Sequence, residues 1–150
     1  MDLPARALLS NINNFCTFFF KDLKHAPEAP PHHYIIFPAG DGLSLTICII
    51  TSQIDSKIAY YKKTRPKAIE SLVPVNENML SFLKEESIIE CNQAELITKE
   101  ELMKRIDPDV PCELNAQPIP AELQKKINTA IIQSPLISPA IKQLIINRNR

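Results

Sequence analysis

The apolar positions of this 150-residue chain fall first into short runs and only later into helical stripes. Residues 15–20, FCTFFF, are aromatic and read as a strand. KDLKHAPEAPP follows, and its three prolines predict a loop, since proline brings no amide proton to a ladder. His33 to Phe37 form a second strand. Ala39-Gly40-Asp41-Gly42 supplies a turn, both glycines being free to take positive φ, and residues 43–50 complete a hairpin. Leu72-Val73-Pro74-Val75 fits a short edge strand. Asn78 to Leu83 predict one helical turn with Leu80 and Leu83 together. SIIECN, residues 87–92, is a strand that Ala94–Ile97 continues after a kink.

Helical spacing takes over near Thr98. Thr98 and Glu101 have the Thr-x-x-Glu spacing of a capping box, Leu102 and Ile106 share the buried face, and Pro108 ends the helix. A proline-spaced linker, DPDVPCELNAQPIP, comes next. In 121–133 the apolar set Leu123, Ile127, Ala130 and Ile131 has helical period. Ser134-Pro135 breaks it, Ser138 is the next N-cap with Pro139 behind it, and Ile137, Ile141, Leu144 and Ile145 repeat the spacing. Each stripe is too short to stand alone, so both helices should dock on the domain or on a partner. Hairpin-linked short strands predict a small, strongly bent antiparallel barrel over 1–113, one helix near 98–106 included, with a helical pair over 114–150.

Composition narrows the picture. At 45% hydrophobic and 23% charged the chain is globular and long enough for a core. Its formal net charge is zero, so attraction to nucleic acid or membrane must be local. No apolar run approaches the ~18–20 residues of a membrane span, and the start lacks the apolar stretch of a signal peptide. A cytoplasmic protein that uses no membrane is the expectation. Cys16, Cys48, Cys91 and Cys112 are too widely spaced for a zinc ribbon or redox pair and read as free thiols. With 2 glycines and no phosphate-cradling motif, no nucleotide cofactor is expected, and no metal site either.

Three segments, taken in order, resemble the PemK/MazF-like toxins of toxin–antitoxin pairs: FCTFFFKD, LTICIITSQ and SIIECNQAELITKEEL. Ile50-Thr51-Ser52-Gln53 matches the family's Thr-Ser-like strand end. Cys91-Asn92-Gln93 through Leu102 matches its later strand-to-helix step. The resemblance covers roughly 15–106. It implies an SH3-like barrel, usually a homodimer, that cleaves single-stranded RNA without metal and is blocked by an antitoxin protein. One departure stands out. The family's arginine before the Thr/Ser strand has no counterpart, since no arginine lies between Arg6 and Arg65. Either a histidine has taken that role or cleavage is weak or lost.

Cleavage of this kind uses the substrate's own 2′-hydroxyl, so the site must remove one proton, supply another and stabilise phosphoryl charge. In the hairpin, His32 and His33 open one strand where Thr51 and Ser52 close its neighbour, so they should meet at one rim. Alternation lets one of each pair face a given side. A histidine, His33 before His32, serves as base or acid, and Thr51 or Ser52 donates to phosphate. The histidine pair also fits a plain polar loop edge, and Thr51-Ser52 a strand end bonded to local backbone. Gln53 and the run Lys57, Tyr60, Tyr61, Lys62, Lys63, Arg65 and Lys67 are the expected RNA contacts, cations for phosphates and rings for bases; a solvated loop is the bland alternative. Residues 77–113, with ten acids and four cations, should face away from RNA. The competing function is a non-catalytic SH3-like module that binds RNA or an acidic peptide.

Overall fold

The computed structural model describes residues 2–10, 12–115 and 117–149. Helix α1 (Asp2–Ser10) leads into β1 (Cys16–Phe20), β2 (His32–Pro38) and β3 (Ser44–Thr51). Helix α2 (Ile54–Thr64) and a 3-10 turn (Pro66–Ser71) precede β4 (Leu72–Val75). Then come β5 (Ser87–Glu90), β6 (Glu95–Thr98), α3 (Lys99–Arg105), β7 (Glu113–Asn115), α4 (Ala121–Gln133) and α5 (Pro139–Arg148). The seven strands make one antiparallel sheet in the order β4-β5-β3-β2-β1-β7, with β6 also on β3.

The local expectations for the hairpin hold. β2 and β3 pair from Pro38↔Leu45 to Tyr34↔Ile49. Asp41 Oδ1 accepts from the Leu43 and Ser44 amides, each at 2.9 Å, and Gly42 takes φ +73°. A Cβ on Gly40 would lie 2.5 Å from the Leu144 carbonyl oxygen, so only glycine lets α5 pack against this turn. The kink after β5 is a 3-10 turn, Cys91–Gln93, which carries the chain from one stretch of β3's edge to the next. The capping box is complete: Thr98 Oγ1 accepts from Glu101 N at 3.1 Å and Glu101 Oε1 from Thr98 N at 2.9 Å.

The closed barrel is not formed. The sheet is open, with no pairing between β4 and β7 among the described residues. The reason is written in β2 and β3. YIIF is apolar throughout and LTICII at every position but buried Thr46, so both faces of the central strands need cover, as in a layered fold rather than a barrel with one wet face. On one face Ile35, Phe37, Cys48 and Ile50 pack with Leu123, Ile127, Ile131 and Ile145 of α4 and α5. On the other, Phe18, Phe20, Ile36 and Ile47 pack with Leu9 of α1 and Leu102 of α3. Tyr61 of α2 covers Leu72 and Ile88 in a third cluster. Each fully buried Leu or Ile contributes roughly 1.5–3 kcal/mol. The predicted stripe of α4 is buried at all four positions, while in the last helix Ile145 is buried and Ile141 and Leu144 are half-buried.

Three elements escape the local reading. α1 has no long apolar run. The cation run, for which a solvated loop is the bland alternative, is helical over 57–64 in α2, and Lys67 lies in the 3-10 turn that follows. β7 is three residues inside the proline-spaced linker, held by pairing with β1. The expected division between residues 113 and 114 falls inside β7, and α4 and α5 share a core with the sheet. At the far edge, β4 is blunt: Pro74 has no N–H, and Leu72 spends its own on the Ile69 carbonyl. All four cysteines are free, Cys48 and Cys91 buried and Cys16 and Cys112 half-buried.

Candidate functional site

The site forms where one ladder divides into two. β2–β3 pairing stops at Tyr34↔Ile49. Beyond that point β2 stays with β1, through His33↔Phe19 and His32↔Phe20, while β3 passes to β5, through Ile50↔Ile89 and Thr51↔Ile88. The gap between the parting strands is an open cleft of about 570 Å³. His32, His33, Thr51, Ser52 and Gln53 all line it, as the hairpin geometry requires. The segment 82–87 makes the far wall and brings Phe82, Lys84 and Glu85.

Alternation sorts the two histidines. His32 follows Tyr34 on the α1/α3 face, and Thr51 follows Ile49 on the same face. His33 follows Ile35 on the opposite face, with its ring between Phe19 (centroids 4.5 Å) and Phe82 (4.1 Å). The cleft at the sheet margin takes both. Neither buried Nδ1 has a hydrogen-bond partner among the described residues. Burial holds His33 below the ordinary histidine range, against an opposing pull from Glu113. His32 is also lowered, by burial first and then by the charges of His25 and Lys21. Both imidazoles are therefore neutral at pH 7 and able to accept a proton.

Thr51 does bond local backbone, its Oγ1 accepting from Gln53 N at 3.2 Å. Its hydroxyl proton is still available to a ligand, and Ser52 and Gln53 are exposed. Gln53 is the N-cap of α2 but makes no side-chain cap bond; the first amide of the helix, Ile54 N, donates instead to the Ser52 carbonyl at 2.9 Å.

The expected RNA contacts divide. Tyr61 is a correction: it is 2% exposed, and its hydroxyl donates to Glu90 Oε2 at 2.8 Å, so its ring offers no stacking face. Lys57 is also drawn inward, its Nζ 3.4 Å from the same carboxylate oxygen. Asn92, of the family-like Cys91-Asn92-Gln93 step, is buried between Glu90, the Ala68 carbonyl and Ser134. Tyr60 is 59% exposed, and Lys62, Lys63, Arg65 and Lys67 are exposed. Tyr60, Lys62 and Lys63 lie on α2, roughly 9–14 Å along its axis from Ile54 at ~1.5 Å per residue, and Arg65 and Lys67 lie just past its C-terminus.

A second cleft, of about 380 Å³, opens on the α1/α3 face. Arg105 grips both carboxylate oxygens of buried Asp22 and reaches Glu95 at 2.7 Å, and Lys24 holds the other Glu95 oxygen at 3.0 Å. Burial alone would raise the Asp22 pKa; hydrogen bonds from Arg105 and Lys24 N outweigh it and keep it below the ordinary range. This network is saturated and ties the 21–25 segment to α3. His25 lines this cleft and meets His32 edge-on at 5.6 Å between ring centroids. The sequence pattern carries no sign of that contact, since His25 lies in a loop without periodicity. No three His, Cys, Asp or Glu side chains stand together as metal ligands among the described residues, and no helix there is long and apolar enough to cross a membrane.

No protein-family model matches the chain, and no curated protein matches it significantly.

Proposed function

We propose that the protein is a metal-independent endoribonuclease that takes single-stranded RNA in the split-strand cleft. The observation that carries this reading is the meeting of His32, His33, Thr51 and Ser52 around one open cavity. A neutral imidazole there takes the proton of the 2′-hydroxyl. O2′ bonds to phosphorus, the P–O5′ bond breaks, and the 5′-oxygen leaves with a proton. Thr51 donates to a phosphoryl oxygen, and Lys84 supplies positive charge. The start of α2, which has no side-chain cap, adds partial positive charge at the same place, tempered by Asp55 in its first turn. Tyr60, Lys62, Lys63, Arg65 and Lys67 hold RNA farther along the helix. Kinship with the PemK/MazF-like toxins belongs to this proposal and rests on the ordered motifs. The open sheet argues for a divergent member without the SH3-like barrel, and the cationic end of α2 suits an acidic antitoxin.

A non-catalytic binding module is the second reading. It is favoured by the charge of the cleft, where Lys84 stands beside Glu85 and no arginine lines the walls among the described residues. Incubation of single-stranded RNA with the protein in EDTA separates the two. Products with 2′,3′-cyclic phosphate and 5′-hydroxyl ends, absent with His32→Ala and Thr51→Ala, support the nuclease. Retained RNA without products supports the module. Neither binding nor products rejects both.

A further inference from the structure

The second cleft opens on the α1/α3 face, and the first, at the sheet margin, reaches that face through His32 and Thr51. Tyr34 and Ile49 line the second, and two residues along the same strands His32 and Thr51 line the first. His25 and His32 stand at the join, edge to ring. A ligand that runs from one cleft into the other passes this pair, since His25 lines the second and His32 the first. His33 cannot serve as the second proton-transfer group for such a ligand: it sits on the other face with phenyl rings on both sides.

We propose that His25 is the proton donor of this site, protonating the leaving 5′-oxygen while His32 takes the proton of the 2′-hydroxyl. The inference rests on the endoribonuclease reading. Balance is simple. One proton passes from O2′ to His32 as the O2′–P bond forms. One passes from His25 to O5′ as the P–O5′ bond breaks. The product, a 2′,3′-cyclic phosphate, leaves the histidines in exchanged protonation states that solvent restores. The charged groups around His25 and His32 are Lys21, Asp22 and Lys24 on the same loop, Arg105 of α3 and Glu95 of β6. Their carboxylates are already claimed by Arg105 and Lys24, and His32 itself has a hydrogen bond to the Pro30 backbone carbonyl.

The test compares a substrate with the normal 5′-oxygen leaving group and one with 5′-sulfur, which departs without a proton. His25→Ala is expected to slow by about 100-fold or more on the oxygen substrate and to match the parent on the sulfur substrate. His32→Ala is expected to slow on both. Activity of His25→Ala on sulfur also shows that the variant is folded. Equal cutting of the oxygen substrate by parent and His25→Ala overturns the inference, as does an equal decrease on both substrates, while the endoribonuclease reading stands. A parent that cuts neither substrate overturns that reading and this one with it.

Discussion

The hydroxyl of Tyr61 donates a 2.8 Å hydrogen bond to Glu90, a carboxylate with 0% of its surface exposed. The same carboxylate accepts from Asn92 N and Nδ2 at 3.1 and 3.0 Å and lies 3.4 Å from Lys57. A buried charge is tolerated only with such partners. Two residues that resemble RNA contacts in sequence therefore anchor α2 to β5.

Tyr60 and Tyr61 should accordingly respond differently to substitution. Tyr61→Phe removes a hydrogen bond to a charged group, at about 1.5–3 kcal/mol of stability, with RNA affinity little changed. Tyr60→Ala leaves stability within about 0.5 kcal/mol and weakens RNA binding by about 1–3 kcal/mol. Urea titration and RNA titration of the two variants read the difference. A weaker complex from Tyr61→Phe at full stability would overturn this assignment.

Arg105→Met leaves Asp22 buried and unpaired, at about 3–5 kcal/mol. Asp22 and Glu95 both have folded pKa values lowered from 3.8 and 4.5. The unfolded chain thus binds more protons there, so their stabilisation is present above those values and lost as pH falls through the folded ones. Urea midpoints measured from pH 7 to pH 3 should fall steeply in the parent and more shallowly in Arg105→Met.

His32 and His33 have folded pKa values lowered from 6.5. The unfolded chain takes up protons first as pH drops below 6.5, so these residues remove stability on the acid side and none above it. Proton NMR of the imidazole C–H signals should place both midpoints below 6.5. The basic catalyst of the cleft should stay active below the pH at which an ordinary histidine is half protonated. Midpoints at or above 6.5 would contradict the burial seen here.

Lys62 and Lys63 project from the last turn of α2. Replacing both by Gln should weaken single-stranded RNA binding for all sequences alike. The slope of log affinity against log salt should shrink by about 1.4, at ~0.7 for each phosphate no longer neutralised. An unchanged slope would place the RNA elsewhere.

The C-terminal helices are fully legible in the sequence because their signal is local. Leu123, Ile127, Ala130 and Ile131 recur at helical period, and Ser138 caps as its spacing to Ile141 requires. The helical nature of 54–64 is not legible: five of the eleven residues of KIAYYKKTRPK are cations, and the helix's stability comes from Tyr61 and Ile58 meeting Leu72 and Ile88, residues distant in sequence. β7 is hidden for a similar reason, since Glu113-Leu114-Asn115 has no strand pattern without β1 beside it.

The sequence by itself determined the hairpin, the capped helices and the meeting of His32 and His33 with Thr51 and Ser52, because turn chemistry and alternation act over a few residues. Tertiary structure alone decided that the sheet stays open, that Tyr61 turns inward, and that His25 reaches His32. Those outcomes depend on which distant segments compete to cover each apolar face and each buried charge, and no local pattern encodes the winner.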